Sequence, residues 1–322
     1  MPELPEVQTV VDDLKKKVVG RKITGLWFDW PKMLKDPLDQ QRNFVAHKHV
    51  KVFQRVILGK KILDVRRRAK NILIYLSGDM MMLIHLKMTG HLLVGKWRIE
   101  KSKVQRPKSK DVVIPIEPKE IVDDPYNRYI HVLFNLDNGK MLGFSDVRKF
   151  GKILLGTTAQ IENLDELRNL GPESLDPKFK FSDFKKAISA EHRKIKQVLT
   201  DPQVIAGIGN IYSDDILWQA KVHPLKPADR ISDKDLLAMY KATRSILGKA
   251  VKLRGTSFSD FRDTSGKEGY YAGYRLVYQR EDEPCSRCGT KINRLTVGGR
   301  TAHYCPACQR LKPYDDGGQL KL

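Results

Sequence analysis

All four cysteines of the chain fall between positions 285 and 308, as Cys285-x2-Cys288, sixteen further residues, then Cys305-x2-Cys308. They are not spread along the chain as a disulfide framework would be. Two C-x2-C knuckles present four thiolates to one tetrahedral ion, which suits zinc. So short a segment holds too little apolar material for a core, so metal binding must supply most of its folding energy. Redox pairs or disulfides are the alternatives. Because cysteine fills all four positions, no coordination site is left for a catalytic water, and the predicted Zn2+ is structural. The intervening residues can form a hairpin whose tip is Gly298-Gly299-Arg300. Glycines there allow close backbone approach, and the arginine can grip phosphate with a forked pair of hydrogen bonds. An ordinary exposed turn fits the tip equally well.

Charge narrows the partner. The 322 residues carry 59 Lys and Arg against 38 Asp and Glu, a net charge of +21. Residues 1–150 hold +13 of it and residues 151–322 hold +8, so the excess is spread over both halves. A polyanion contacting two domains is the natural reading, and a generally basic surface is the plain one. No apolar run approaches the roughly 20 residues of a membrane span, so no membrane partner is expected. The first residues include Glu3 and Glu6 with no apolar signal core, which reads as a mature intracellular chain.

Apolar spacing organises the rest. Val7, Val10, Val11, Leu14 and Val18 recur at helical intervals, with Lys15–Lys17 in the last turn and Gly20 after it. From there to about 156 the pattern is strand-like, with pieces at Ile72–Leu76, Met82–Leu86, Tyr129–Asn135 and Met141–Phe144. Asp137-Asn138-Gly139 is a hairpin turn between two of them. Short strands at this spacing predict a β-sandwich or barrel. Residues 101–120, Lys- and Pro-rich with weak periodicity, read as an insertion or a mobile loop. Beyond 160 the periodicity turns helical, with Ser182 as the expected N-cap of one helix and Ser232 opening another that runs to about Leu253. Gly207, Gly209 and Asn210 lie in a turn between helices, where exposed N–H groups and a helix N-terminus can bind phosphate. A plain connector reads the same way. Residues 254–274, rich in Gly, Ser and Tyr, form a long loop of the kind that is usually functional or mobile.

The chain begins Met1-Pro2-Glu3-Leu4-Pro5-Glu6. Removal of Met1 leaves a secondary amine at Pro2. An α-amino group has a pKa near 8, so an appreciable fraction is neutral at pH 7. Such an amine can attack a sugar carbon and form an iminium, with Glu3 placed to move protons. Most Met-Pro starts carry no such chemistry.

These signals occur together in one order. The sequence resembles the formamidopyrimidine-DNA glycosylase family, whose sister branch is endonuclease VIII, over nearly its whole length. The resemblance is carried by Met1–Val7, by Arg66-Arg67-Arg68-Ala69-Lys70, and by His85-Leu86-Lys87-Met88-Thr89-Gly90. It is carried further by Asp146-Val147-Arg148-Lys149-Phe150-Gly151, by Gly207–Tyr212 and by the cysteine module with Arg300.

The resemblance implies an α+β protein. An N-terminal β-sandwich with a leading helix would span 1–156, and a helix-two-turns-helix domain with a lesion-recognition loop 157–275. A four-cysteine zinc finger would span 276–311 and a tail 312–322. It implies a bifunctional DNA glycosylase and lyase of base excision repair, acting as a monomer in a bacterial-type cytoplasm. Its partner would be double-stranded DNA containing oxidised purines or abasic sites, cut by β,δ-elimination. Pro2 would be the nucleophile at C1′, Glu3 the proton donor to the sugar ring oxygen, and Glu6 the anchor of the N-terminal helix. Lys70, Asn210 and Arg300 would hold phosphates beside the lesion. Met88, Arg148 and Phe150 would fill the space of the everted base, since chemistry on a base takes it out of the stack. On their own pattern Met88 and Phe150 read as core. The loop around Lys267 would close over the base. Segments near 33–55 and 101–125 look longer than in the family, so Lys35 receives no role. An endonuclease VIII-like activity on oxidised pyrimidines and a non-enzymatic zinc-containing DNA-binding protein are the alternatives.

Overall fold

The computed structural model describes residues 1–35, 46–101, 111–258 and 260–311. Residues 36–45 and 102–110, within the two long segments noted above, and the tail 312–322 lie outside them. The chain divides into two units: 1–168 with 254–270, and 169–253 with the remainder.

The first unit opens with α1 (Leu4–Lys17). Pro5 sits at its start, and the Glu3 N–H donates to the Glu6 carboxylate at 2.7 Å, satisfying one of the N–H groups a helix end leaves open. Its apolar face, Val7, Val10, Val11 and Leu14, is buried in the main core. Each such side chain contributes about 1.5–3 kcal/mol. There follow β1 (Ile23–Phe28), β2 (Leu34–Lys35), α2 (Ala46–Ile57), β3 (Ile62–Arg68), β4 (Asn71–Leu76), β5 (Met80–His85) and β6 (Gly90–Glu100). The unit continues with β7 (Val112–Glu117), α3 (Lys119–Asp123), β8 (Ile130–Leu136), β9 (Met141–Asp146), β10 (Lys152–Thr157), α4 (Thr158–Glu162) and α5 (Asp165–Arg168).

Two five-stranded sheets result, in the orders β1-β8-β9-β6-β7 and β2-β10-β5-β4-β3. Apolar residues from both, such as Phe134 and Phe144 of one and Ile72 and Ile84 of the other, meet in a single core with α1. Of the sandwich and the barrel that the strand pattern allows, this is the sandwich. The turn between β8 and β9 closes through Gly139, whose φ is +75°.

The second unit holds α6 (Phe181–Ser189), α7 (Ile195–Leu199), α8 (Asn210–Ala220), α9 (Asp233–Lys252), and the hairpin β11 (Asn293–Val297) with β12 (Arg300–Tyr304). Ser232 caps α9 by accepting from the Asp235 N–H at 3.2 Å. Ser182 does not cap α6. That helix starts at Phe181, so Ser182 lies inside its first turn, and Asp183 reaches back to the Lys180 N–H at 2.9 Å instead. A carboxylate in the first turn also complements the helix dipole.

The segment 254–270 differs from its sequence assignment. It follows α9 in the chain but packs with the sandwich unit. Phe261 is 6% exposed within the sandwich core, the Thr264 carbonyl accepts from the Val94 N–H of β6, and the Thr256 N–H bonds Glu6 of α1. One aromatic anchor and two backbone hydrogen bonds override sequence adjacency to the helices.

Candidate active site

Pro2, Glu3 and Glu6 are all buried at the start of α1. The two Glu6 carboxylate oxygens divide their work: one accepts from the Glu3 N–H and the other from the Thr256 N–H, each at 2.7 Å. Glu6 thereby holds the backbone at Glu3 and at Thr256.

Register explains how the two expected wedge loops come together. Gly90 of β6 pairs with Asp146 of β9, and His85 of β5 pairs with Lys152 of β10. The segments 85–90 and 146–152 therefore cross side by side from one sheet to the other. Asp146 ties them: its carboxylate accepts from the Thr89 hydroxyl, the Arg148 N–H (3.2 Å) and the Gly151 N–H (2.8 Å). With Asp146 buried, the loop tips are forced outward. Met88 is 40% and Phe150 53% exposed, and the Arg148 guanidinium lies 4.7 Å from the Phe150 ring centroid. The core reading of these two residues is thus excluded.

A cavity of about 530 Å³ lies against Met1, Met88, Phe150 and Trp30, with Lys32, Lys35, Lys87 and Lys149 around it. Apolar and aromatic groups among four ammonium groups suit nucleic acid, offering stacking surface and phosphate contacts together. Lys35, left without a role in the sequence, is part of this wall. So are Lys32 and Trp30, whose ring lies 5.5 Å from the Lys32 ammonium and 4.6 Å from that of Lys149.

Lys70 follows a left-handed turn at Ala69, with φ +53°. Arg67 holds that turn, donating to the Ala69 carbonyl at 2.9 Å and to Gln8 of α1 at 2.8 Å. His85 sits opposite Asn71 in the neighbouring strand, and its Nδ1 accepts from the Lys87 N–H at 2.9 Å. Burial and the charges of Lys87, Lys152 and Lys70 push the imidazole from 6.5 down to about 3. His85 is therefore neutral, with its proton on Nε2, a donor suited to phosphate oxygen. A lone strand histidine gave no sequence signal for this.

His91, fully buried in β6, is likewise pushed down to about 4, chiefly by burial. The unfolded chain takes up these protons near pH 6.5, whereas the fold refuses them until well below pH 5. Stability present above pH 6.5 is thus lost as pH falls through that window. The thermal midpoint should drop from pH 7 to pH 4.5, and less steeply in His91→Gln. Equal slopes in the two proteins would contradict the assignment.

Lys267 sits in a braced loop. It pairs with Glu120 at 3.0 Å, while Asp263 accepts from the Ser265 and Lys267 N–H groups at 2.8 and 3.0 Å. Lys17 of α1 donates to Thr264 and Ser265, both at 2.7 Å. The loop is pinned to the sandwich unit in the structure described.

In the second unit, Gly207 (φ +98°) turns the chain into α8, which Asn210 begins. The Asn210 side-chain oxygen is buried with no hydrogen-bond partner among the described residues. Fully buried Lys196 donates to the Asn210 carbonyl at 2.9 Å and to Asp214 at 2.6 Å. The other Asp214 oxygen accepts from the His303 N–H and meets its Nδ1, both at 2.9 Å. One buried chain of charge thus joins the Asn210 turn to the hairpin bearing Arg300. Gly298 and Gly299 make the hairpin tip with φ of +56° and +76°. Arg300 lines a cavity of about 230 Å³ with Arg193, Gln197 and Thr200.

The sulfurs of Cys285, Cys288, Cys305 and Cys308 lie within 4.8 Å of one another. The Trp218 indole N–H points at the Cys285 sulfur (3.3 Å) and the Cys308 N–H at that of Cys305 (3.4 Å). Donors aimed at sulfur suit thiolates, so the donor set fits a zinc ion.

Comparison with known proteins gives the same order of parts. Residues 1–153 match the formamidopyrimidine-DNA glycosylase N-terminal domain, 170–262 the H2TH domain of the same proteins, and 282–311 the zinc finger found in FPG and IleRS. A formamidopyrimidine-DNA glycosylase of Pelotomaculum thermopropionicum is 38% identical over 312 residues, 97% of this chain and 100% of that protein. The chain belongs to the formamidopyrimidine-DNA glycosylase family. Among solved structures, a complex of Lactococcus lactis Fpg with DNA containing an abasic site is similar at a TM-score of 0.77 and 29% identity. It covers 96% of this chain and 100% of its own. A variant of that Fpg in complex with DNA containing Fapy-dG matches at 0.78 with the same identity and coverage. The sandwich, the helical domain and the four-cysteine finger are therefore the family's fold, as the resemblance implied.

Proposed function

We propose that this chain is a formamidopyrimidine-DNA glycosylase of base excision repair that excises oxidised purines and then cuts the strand at the abasic site. One observation supports this most: a buried Pro2-Glu3 start, anchored by Glu6, stands beside a lysine-lined cavity bearing Met88 and Phe150. Freed of Met1, the neutral Pro2 nitrogen attacks C1′ with its lone pair, and the bond from C1′ to the damaged base breaks, the base leaving with that electron pair. The proton of the new ammonium nitrogen passes to the departing base, and Glu3 gives a proton to the sugar ring oxygen. The bond from C1′ to that oxygen then breaks, the nitrogen lone pair closes onto C1′, and a cationic iminium carrying no N–H remains. Strand cleavage follows by β- and then δ-elimination. Lys70, Asn210 and Arg300 are the phosphate ligands of this reading, Arg148 joins Met88 and Phe150 in filling the vacated stack, and Lys267 belongs to the loop facing the everted base. The protein acts as a monomer in the cytoplasm. No described helix is long and apolar enough to cross a membrane.

A panel of duplexes tests substrate class. Excision of 8-oxoguanine and formamidopyrimidines well above oxidised pyrimidines is expected, and the reverse order would favour the endonuclease VIII-like alternative. Phe150→Ala should slow lesion excision far more than cleavage of a pre-formed abasic site, which has no base to extrude. Equal losses on both substrates would make Phe150 a structural residue only.

One structural Zn2+ is held by Cys285, Cys288, Cys305 and Cys308. Replacing any one by Ala should release the metal and weaken DNA binding by at least about tenfold, through loss of the folded Arg300 hairpin. The sandwich unit should stay folded. Metal analysis of a folded, active preparation that finds no zinc would refute this.

A further inference from the structure

We infer that Arg254 is a positioning residue for the catalytic N-terminus, clamping the chain segment that braces Glu6 onto helix α1. The inference rests on the Pro2-Glu3 reading above.

Arg254 has a φ of +62°, a left-handed conformation that favours glycine, yet it carries a full side chain. Its guanidinium holds two carboxylates. One terminal nitrogen lies 2.6 Å from Asp13 and 2.6 Å from Asp263, and Nε donates to Asp263 at 3.1 Å. Asp13 belongs to α1 and Asp263 to the loop, so the arginine joins the two. Asp263 is almost fully buried and Asp13 nearly so. Without the guanidinium these two carboxylates would face each other beside the charges of Lys17, one turn further along α1, and, near Asp263, of Lys267.

The next two residues reach the catalytic end. At Gly255 an added Cβ would lie 2.7 Å from the Glu6 carboxylate and 3.1 Å from its Cα, so the backbone runs directly against Glu6. The Thr256 N–H then donates to Glu6, whose other oxygen holds the Glu3 N–H. Glu6 and Asp13 are seven residues apart, about two helical turns, and so lie on one face of α1. The segment 254–256 is thereby fixed to that face at two points: Asp13 through charge and Glu6 through a backbone hydrogen bond. Release of the first point loosens the second, and with it the backbone that aims Glu3 and Pro2.

Arg254→Gly tests this, because glycine keeps the left-handed backbone and removes only the clamp. Single-turnover excision by the full chain should slow by about 10- to 100-fold, the usual consequence of displacing reacting groups by a fraction of an ångström to an ångström. The Kd for lesion DNA should stay unchanged, because the guanidinium is committed to carboxylates. Arg254→Lys, which keeps charge but not the fork, should recover part of the rate. Asp13→Asn provides a second route should Arg254→Gly fold poorly. It should reproduce the slow excision, and the double variant should be no slower than Arg254→Gly alone.

A wild-type rate in both Arg254→Gly and Asp13→Asn would overturn the proposal. So would a loss confined to Kd with a shallower salt dependence, which would make Arg254 a phosphate contact. The underlying reading fails separately. A borohydride adduct on wild-type protein away from Pro2 sinks the nucleophile assignment whatever Arg254→Gly does. An adduct on Pro2 with normal turnover in both Arg254→Gly and Asp13→Asn sinks only the clamp.

Discussion

Protein that retains Met1, or carries any uncleaved N-terminal extension, should excise no lesion, cut no abasic DNA and leave no covalent adduct with borohydride. In such a chain the Pro2 nitrogen is part of an amide. Its lone pair is delocalised into the carbonyl and is not available to a sugar carbon. The loss is complete because no second nucleophile in this account can form the iminium, and both reactions pass through it. DNA affinity should survive, since the lysines of the cavity wall and Arg300 are untouched. Met1 is 47% exposed beside that cavity, so an extension there leaves the fold of α1 intact. Intact mass must accompany the assay, because partial removal of Met1 would leave a residual rate proportional to the processed fraction.

Glu3→Gln should divide the two activities. Glutamine preserves the backbone, so the Glu3 N–H still bonds Glu6 and α1 keeps its start. What is lost is a group that can give and take a proton. Base excision requires ring opening by a proton donor and should fall by about 10²–10⁴-fold, the usual contribution of a positioned general acid. A pre-formed abasic site already presents an open-chain aldehyde for part of the time. Pro2 can attack that aldehyde without ring opening, so strand cleavage there should persist at a reduced rate. Equal loss on both substrates would mean that Glu3 serves the amine and not the sugar, and its role would have to be reassigned.

Much of this arrangement was legible in the sequence, for reasons that differ by element. Helix α1 announces itself through Val7, Val10, Val11 and Leu14 because helical spacing is local, and the zinc module does so because ligand spacing is local. For Met88 and Phe150 the resemblance implies a place in the stack of the everted base, whereas their own pattern reads as core. An apolar residue reads as core until the register of β5, β6, β9 and β10 shows that the loops bearing it are turned outward around Asp146. The placement of 254–270 was invisible for a related reason. It depends on contacts with Glu6 and Asp13, more than 240 residues away in the chain. Ser182 misled because its side chain suits a cap, while Asp183 reaches the Lys180 N–H. His85 and Lys35 were missed because a single histidine and a lysine beside an uncertain alignment carry no pattern. Their significance appears only when His85 is seen opposite Asn71, next to Lys70, and Lys35 in the wall with Met88.

If Pro2 is the nucleophile, the trapped adduct maps to it. Wild-type protein with Met1 verified absent by intact mass is incubated with abasic DNA and borohydride, digested, and analysed by mass spectrometry. One DNA-bearing peptide is expected, the N-terminal one, with the added mass on Pro2. An adduct on Lys70 or any other lysine in that same preparation, with Pro2 unmodified, would contradict it.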